Sequence, residues 1–268
     1  TAYEMLRSLV GSEMCIRDRN NIDGIDDLAL TTNATLLKKK AQDLANAGLD
    51  RITISLDSID QDVFFKMNGN RGNVSDVIEG IEAAEKAGLT PIKINTVVQR
   101  GVNEHTIIDL LKYFKGSGHI VRLIEFMDVG NQNNWNLEDV ISAKELLTMI
   151  QKKWPLSPVK ETYRGEVAKR YLYDDGSGEI GFITSVSRPF CGDCSRARLS
   201  ADGVLYTCLF TNKGTDIKVL LRDGSSDQDI ENLFTKIWLA RDDRYSELRH
   251  TYKPNESEKK IEMYRMGG

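Results

Sequence analysis

With 268 residues, 40% of them hydrophobic and 28% charged, the chain is long enough to bury a substantial core, as one large domain or two smaller ones. A formal net charge of −4 excludes a general attraction to nucleic acid or anionic membrane, although a local basic pocket is compatible with it. No apolar run approaches the ~18 residues of a membrane-spanning helix, and Thr1–Arg19 has no basic region followed by an apolar core, so a soluble cytoplasmic protein is the default expectation.

The stretch LVGSEMCIRDR resembles a translated sequencing adapter, so Thr1–Arg19 is expected to be non-native and is set aside from fold reasoning. From Ile22 a regular rhythm starts. Leu28–Leu30 is a short apolar strand that runs into the cap-like cluster Thr31-Thr32-Asn33. Leu37, Ala41 and Leu44 recur at helical spacing, and Gly48 stands where a helix C-terminus favours glycine. Ile52, Ile54 and Leu56 alternate as a strand that ends at Asp57; Val74, Val77, Ile78, Ile81 and Ala84 mark a second helix closed by Gly88. Pro91–Val98 predicts a third strand, Ile107, Ile108, Leu111 and Phe114 a helix, and Val121–Phe126 a fourth strand.

Strands alternating with helices predict a parallel sheet covered by helices, either an open doubly wound sheet or a barrel. In both, polar residues at the carboxyl ends of strands face a ligand crevice. Thr31, Ser55, Asp57, Glu125 and Met127 stand at such ends, and Lys93 lies in the third strand. After Gly130 the rhythm breaks. Ser142–Trp154 predicts a helix, Pro155–Glu179 reads as irregular, Ile180–Val186 and Arg196–Leu209 read as strands flanking a cysteine loop, and Asp227–Ala240 predicts a last helix. This half is expected to form a second, α+β domain.

Cys191 and Cys194 form a C-x2-C turn, and Cys208 follows after thirteen intervening residues. Such a turn presents two thiolates to one metal centre, and a third thiolate from a neighbouring strand closes one face of it. Spacing alone fits a zinc ribbon; the lack of an evident fourth ligand among His105, His119 and His250 fits a four-iron cluster with one iron left open. Directly after Cys194 comes Ser195-Arg196-Ala197-Arg198. In extended backbone Arg196 and Arg198 share a face, as a paired grip on phosphate oxygens or as a solvated basic edge.

From about Asn20 to Gly268 the sequence resembles the radical S-adenosylmethionine enzymes of the GTP 3′,8-cyclase family. The resemblance rests on Leu28–Asn33, Ser55-Leu-Asp57, Arg122–Gly130, Gly165-Glu-Val-Ala168, Gly181–Val186, the cysteine loop, Arg241-Asp-Asp-Arg-Tyr245 and Gly267-Gly268. It implies an α/β fold: an incomplete parallel (β/α) barrel over residues 20–129, then a smaller α+β domain over 130–268 that binds a cluster and GTP. It implies that Cys191, Cys194 and Cys208 hold a 4Fe-4S cluster. Thr31, Lys93, Arg196, Ala197 and Arg198 would contact GTP; Ser55 and Met127 would contact S-adenosylmethionine. The implied reaction converts GTP to the cyclic pterin precursor of molybdenum cofactor biosynthesis, and Gly267-Gly268 would reach into its site. Residue by residue, Thr31 also reads as a helix cap, Ser55 as a strand-end hydroxyl, Met127 as core filler and Lys93 as a snorkelling surface residue.

The family's first cluster needs a C-x3-C-x2-C motif, which this sequence lacks; Cys15 has no cysteine partners at that spacing. The chain as written is therefore expected not to generate the adenosyl radical, and the Leu28–Leu30 strand is expected to be an exposed edge that favours aggregation. The reductant stays unnamed, and the resemblance leaves a homodimer open. Other readings are a different radical enzyme with an auxiliary cluster and a zinc-stabilised nucleotide-binding or interaction module.

Overall fold

A computed structural model of the chain describes residues 10–131, 133–249 and 260–266. The chain divides into two compact units, one drawn from Thr1–Glu125, Ile141–Glu161 and Ala168–Ile183, the other from Phe126–Val140, Thr162–Val167 and Thr184–Gly268. Among the described residues no helix is long and apolar enough to cross a membrane.

In the first unit the elements run α1 (Val10–Asn20), β1 (Ala29–Thr32), α2 (Leu37–Asn46), β2 (Arg51–Ser55), α3 (Gln61–Asn68), α4 (Val74–Lys86), β3 (Lys93–Val98), α5 (Ile107–Phe114) and β4 (Ile120–Glu125). Then come α6 (Ala143–Gln151), β5 (Leu156–Pro158), β6 (Lys169–Tyr173) and β7 (Glu179–Ile183). The apolar spacing read from the sequence is what buries: Leu37, Ala41 and Leu44 of α2 and Val77, Ile81 and Ala84 of α4 join one core with Ile52, Ile54, Ile94 and Val121 of the sheet. Helix starts are fixed by local chemistry. Asp60 accepts from the amides of Asp62 and Val63, and Ser142 exchanges hydrogen bonds with Glu145 in a capping box.

The seven strands lie in the order β1-β2-β3-β4-β7-β6-β5. Neighbours from β1 to β4, and β4 with β7, are parallel, whereas β5 and β6 are antiparallel additions. This is an α/β fold with a mostly parallel sheet. Two details depart from the sequence reading. Ile180–Val186 was expected beside the cysteine loop, yet β7 extends the parallel sheet next to β4. Pro155–Glu179, expected to be irregular, supplies β5 and β6. Val10–Asn20, for which no element was predicted, is helical, with Ile16 buried and Glu13 paired to Lys40 at 3.0 Å.

The second unit contains β8 (Arg198–Leu199), β9 (Val204–Tyr206), β10 (Thr215–Asp216), α7 (Lys218–Arg222), α8 (Asp227–Leu239) and α9 (Tyr245–Leu248). Its three short strands pair antiparallel in the order β10-β9-β8. Arg196–Leu209, read as one strand, is thus a hairpin; Gly203 N donates to Ser200 O at its turn, and the Ser200 hydroxyl fastens it to Val204.

Candidate functional site

In the first unit the polar face of the sheet gathers three of the predicted residues. Strand register sets Thr31 beside Thr53 and Thr53 beside Lys93, so Thr31, Thr53 and Lys93 form one row across β1, β2 and β3. Ser55, two residues further along β2, falls in the next row with Asn95, Arg122, Gly181 and Arg170. The alternate positions Ile52, Ile54, Ile94, Val121 and Ile180 face the core, which is why the polar residues share the other face. Thr31 is not the helix cap: Thr32 Oγ1 accepts from the Ala34 amide and Asn33 Oδ1 from the Thr35 amide, leaving Thr31 in the strand.

This face is cationic. Burial pushes the Lys93 amine below its usual pKa, and the guanidiniums of Arg51 and Arg122 push it further. Arg51 is matched by Asp27, and Arg170 by Glu179 at 3.2 Å, whereas Arg122 Nε donates to the neutral Asn95 side chain at 2.8 Å. Lys93 and Arg122 add positive charge to this face, an arrangement suited to a phosphorylated ligand. Arg122 on this face was not singled out from the sequence. The signal was there: Val121 and Leu123 alternate around it, which sets Arg122 on the face of Lys93.

Two of the strand-end acids serve the fold. Glu125 is fully buried and accepts from the Ala143 amide at 2.9 Å, satisfying the start of α6. Asp57 accepts from the Val97 amide at 2.8 Å, and burial raises its pKa to about 6.

In the second unit a 3-10 turn over Cys191–Asp193 carries the C-x2-C pair, with Cys194 N bonded to Cys191 O. Arg196 Nε donates to the Cys194 sulfur at 3.3 Å and lies over the Phe190 ring, 5.0 Å from its centroid. Arg241 Nη1 donates to the Cys194 carbonyl at 2.6 Å while its Nε pairs with Asp243. Burial works to raise the Cys194 thiol pKa, but the Arg196 amide and the Arg241 and Arg196 guanidiniums outweigh it and hold the thiol below its ordinary value. Cys208 lies deeper, and burial raises its pKa. Burial, then the neighbouring Arg196, lowers that of Arg198.

The strap at 162–167 clamps the cysteine loop. Arg164 Nε meets Asp193 Oδ1 at 2.6 Å, and Gly165, at φ +83°, lies so close to the Asp193 carbonyl oxygen that a Cβ there would collide with it. Exposure alternates over 196–199, with Arg196 and Arg198 half-buried and Ala197 and Leu199 exposed, as a shared face for the two arginines requires. Met127 is half-buried, its carbonyl accepting from Asn133 Nδ2 at 2.8 Å. Gly267-Gly268 and His250 lie outside the described residues.

Among the described residues no three His, Cys, Asp or Glu side chains are gathered closely enough to hold a single metal ion. The donor chemistry nevertheless fits a cluster, whose thiolates stand farther apart than the ligands of one ion. Cys191, Cys194 and Cys208 are free thiols carried by one loop and the following hairpin, and Arg196, Arg198 and Arg241 supply cations around them. For a cluster on C-x3-C-x2-C the residues present do not fit, since Cys15 is exposed and is the sole cysteine outside that stretch.

The Radical SAM superfamily profile matches residues 4–114 and the Molybdenum Cofactor Synthesis C profile residues 119–247. A GTP 3′,8-cyclase of Xanthomonas campestris pv. campestris (strain B100) is 49% identical over 247 residues, covering 92% of this chain and 72% of the relative. GTP 3′,8-cyclases of Staphylococcus epidermidis and of Staphylococcus aureus (strain Mu50) are each 45% identical, over 94% and 96% of this chain and 75% and 76% of their own lengths. A cationic sheet face, a guanidinium-flanked C-x2-C loop and identity of this extent come together in one conclusion: the chain belongs to the GTP 3′,8-cyclase family of radical S-adenosylmethionine enzymes.

Proposed function

We propose that this chain carries the GTP-binding and cluster-binding parts of a cytoplasmic lyase that cyclises GTP for molybdenum cofactor biosynthesis. Near-half identity to proteins named GTP 3′,8-cyclase carries the reading. Residues 20–129 serve as part of a (β/α) barrel, and residues 130–268 bring the cluster and GTP groups. Lys93 and Thr31 hold GTP from the sheet, with Arg122 added to them, and Arg196, Ala197 and Arg198 form a second grip; S-adenosylmethionine lies against Ser55 and Met127.

Cys191, Cys194 and Cys208 hold a 4Fe-4S cluster, which when bound supplies an iron open to a ligand. The chain's own contribution is to bind and orient. Guanidinium and ammonium groups fix the phosphates, and the hydroxyls of Thr31 and Ser55 supply short polar contacts. With no C-x3-C-x2-C set in the sequence, cleavage of S-adenosylmethionine is assigned to no residue of this chain.

Anaerobic reconstitution followed by metal and sulfide analysis and a GTP titration tests this. About four irons and four sulfides per chain are expected, and Arg196→Ala should weaken GTP binding by roughly 10- to 100-fold. One zinc per chain with no labile sulfide and no GTP binding would overturn the proposal.

A further inference from the structure

Asp128 is buried at the meeting point of three chain segments. The Tyr245 hydroxyl donates to its Oδ2 at 2.5 Å, Arg249 Nε to its Oδ1 at 2.9 Å, and Lys260 Nζ to Oδ2 at 2.7 Å and to the backbone carbonyl of Asp128 at 2.7 Å. Burial favours the protonated acid, but the hydrogen bonds from Lys260 and Tyr245 outweigh it and keep the carboxyl below its usual range. Three residues on, Asn131 clasps the same C-terminal segment. Its Oδ1 accepts from the Lys260 amide at 2.9 Å, its Nδ2 donates to the Lys260 carbonyl at 2.6 Å, and its own amide donates to Glu262 Oε1 at 2.9 Å. Glu262 closes over Gly130, where a Cβ would collide with its carboxylate. This is a two-sided amide pairing between loop 128–131 and residues 260–262, locked by an ion pair that is itself mostly buried.

The same cluster of side chains reaches Cys208. Tyr245 stacks on Phe210, with ring centroids 4.9 Å apart and planes 17° from parallel, and the Phe210 amide donates to the Cys208 sulfur at 3.4 Å. Cations back both rings: Arg249 stands 5.1 Å from the Phe210 centroid, and Lys260 Nζ 4.9 Å from that of Tyr245. These groups form the wall of a cavity of about 730 Å³ to which Cys208 also belongs. Lys260 is thus two contacts from the Phe210 ring through Tyr245, and three through Asp128 and Tyr245.

We propose that Asp128, Asn131 and Lys260 are positioning residues: seating the segment 260–262 on loop 128–131 holds the Phe210–Tyr245 stack and, through it, the Cys208 arm of the cluster site. The inference rests on the reading that Cys208 is a cluster ligand. Asp128 and Lys260 would act through Tyr245 and Phe210 and touch no reacting atom. An unseated segment would leave Asp128 with fewer donors and the stack with one cation fewer, so Cys208 would move more freely even with Cys191 and Cys194 held by their own loop.

The test compares the reconstituted full chain with Asn131→Ala and Lys260→Gln. Amide exchange is followed by mass spectrometry over 204–211 and 260–266, alongside the rate at which a chelator strips iron. Both variants should exchange roughly tenfold faster over 260–266 and faster over 204–211, and lose iron faster by a similar factor, with the first unit unchanged. Faster exchange at 260–266 with parental rates at 204–211 and parental iron loss would overturn the coupling. Parental exchange at 260–266 would overturn the clasp. Should the parent chain take up no iron, the cluster reading fails by itself, and exchange over 204–211 in the unloaded chain still decides whether the seat holds the Cys208 arm.

Discussion

Asp57 shows how much a single buried carboxyl weighs. Its pKa rises to about 6 because burial penalises the anion more than the Val97 amide rewards it. The folded state therefore holds a proton that the unfolded chain releases near pH ~4, so stability is full below that pH and falls as pH rises toward 6. The loss amounts to on the order of 2–3 kcal/mol. Asp57→Asn keeps an oxygen for the Val97 amide and removes the titration. Denaturant melts of parent and variant should show their stability difference moving in the variant's favour by that amount between pH 4 and pH 7, whatever its starting offset. A difference flat with pH would show that Asp57 stays ionised in the fold. Sequence reasoning placed Asp57 and Glu125 in a ligand crevice because both end strands. It could not see that Val97 and Ala143 carry amides in need of an acceptor, since that need exists only once β3 and α6 are in place. Arg122 was the opposite case, readable from simple alternation yet passed over.

At the scale of elements, the strap that bears Gly165 governs the cysteine loop. A side chain there meets both a left-handed backbone and the Asp193 carbonyl. Gly165→Ala should cost about 1–3 kcal/mol and should speed the reaction of Cys191 and Cys194 with a thiol reagent in the unloaded chain. Unchanged thiol kinetics would mean that the loop keeps its shape without the strap. The exposed Arg164–Asp193 pair adds little, because both side chains remain solvated. Helices α2, α4, α5, α6 and α8 and the first four strands were legible because their apolar periods are regular; α3, α7 and α9 were not read from the sequence. The β5–β6 hairpin was not: Leu156-Ser157-Pro158 is too short to alternate, and its proline argues against a strand unless it lies at an edge, which is where β5 is found.

For the whole molecule, the two units differ in how they are held. The first has a continuous apolar core of strands and helices. In the second, α7 and α8 bury no residue fully, and Val219, Leu221 and Leu239 stand exposed. A unit so lightly packed depends more on whatever binds it. Stripping iron from the reconstituted chain should therefore raise amide exchange over 184–249 while leaving β2, β3 and β4 at parental rates. Equal loosening of both units would count against a cluster confined to the second. Family membership was legible in the sequence because its motifs are numerous and ordered; the interleaving of the units was not, since nothing local in Ile180–Ile183 says which strand it will pair with.

That interleaving bears on how the protein is made. Strand β4 leaves the ribosome long before β7, which closes its open edge, and between them comes a segment that belongs to the other unit. Until Ile183 has emerged, the nascent chain exposes a hydrophobic parallel edge with no partner, and parallel pairing is slow to form. Translation speed and chaperone capture over this window, rather than the stability of the finished sheet, then set how much of the protein reaches its native state.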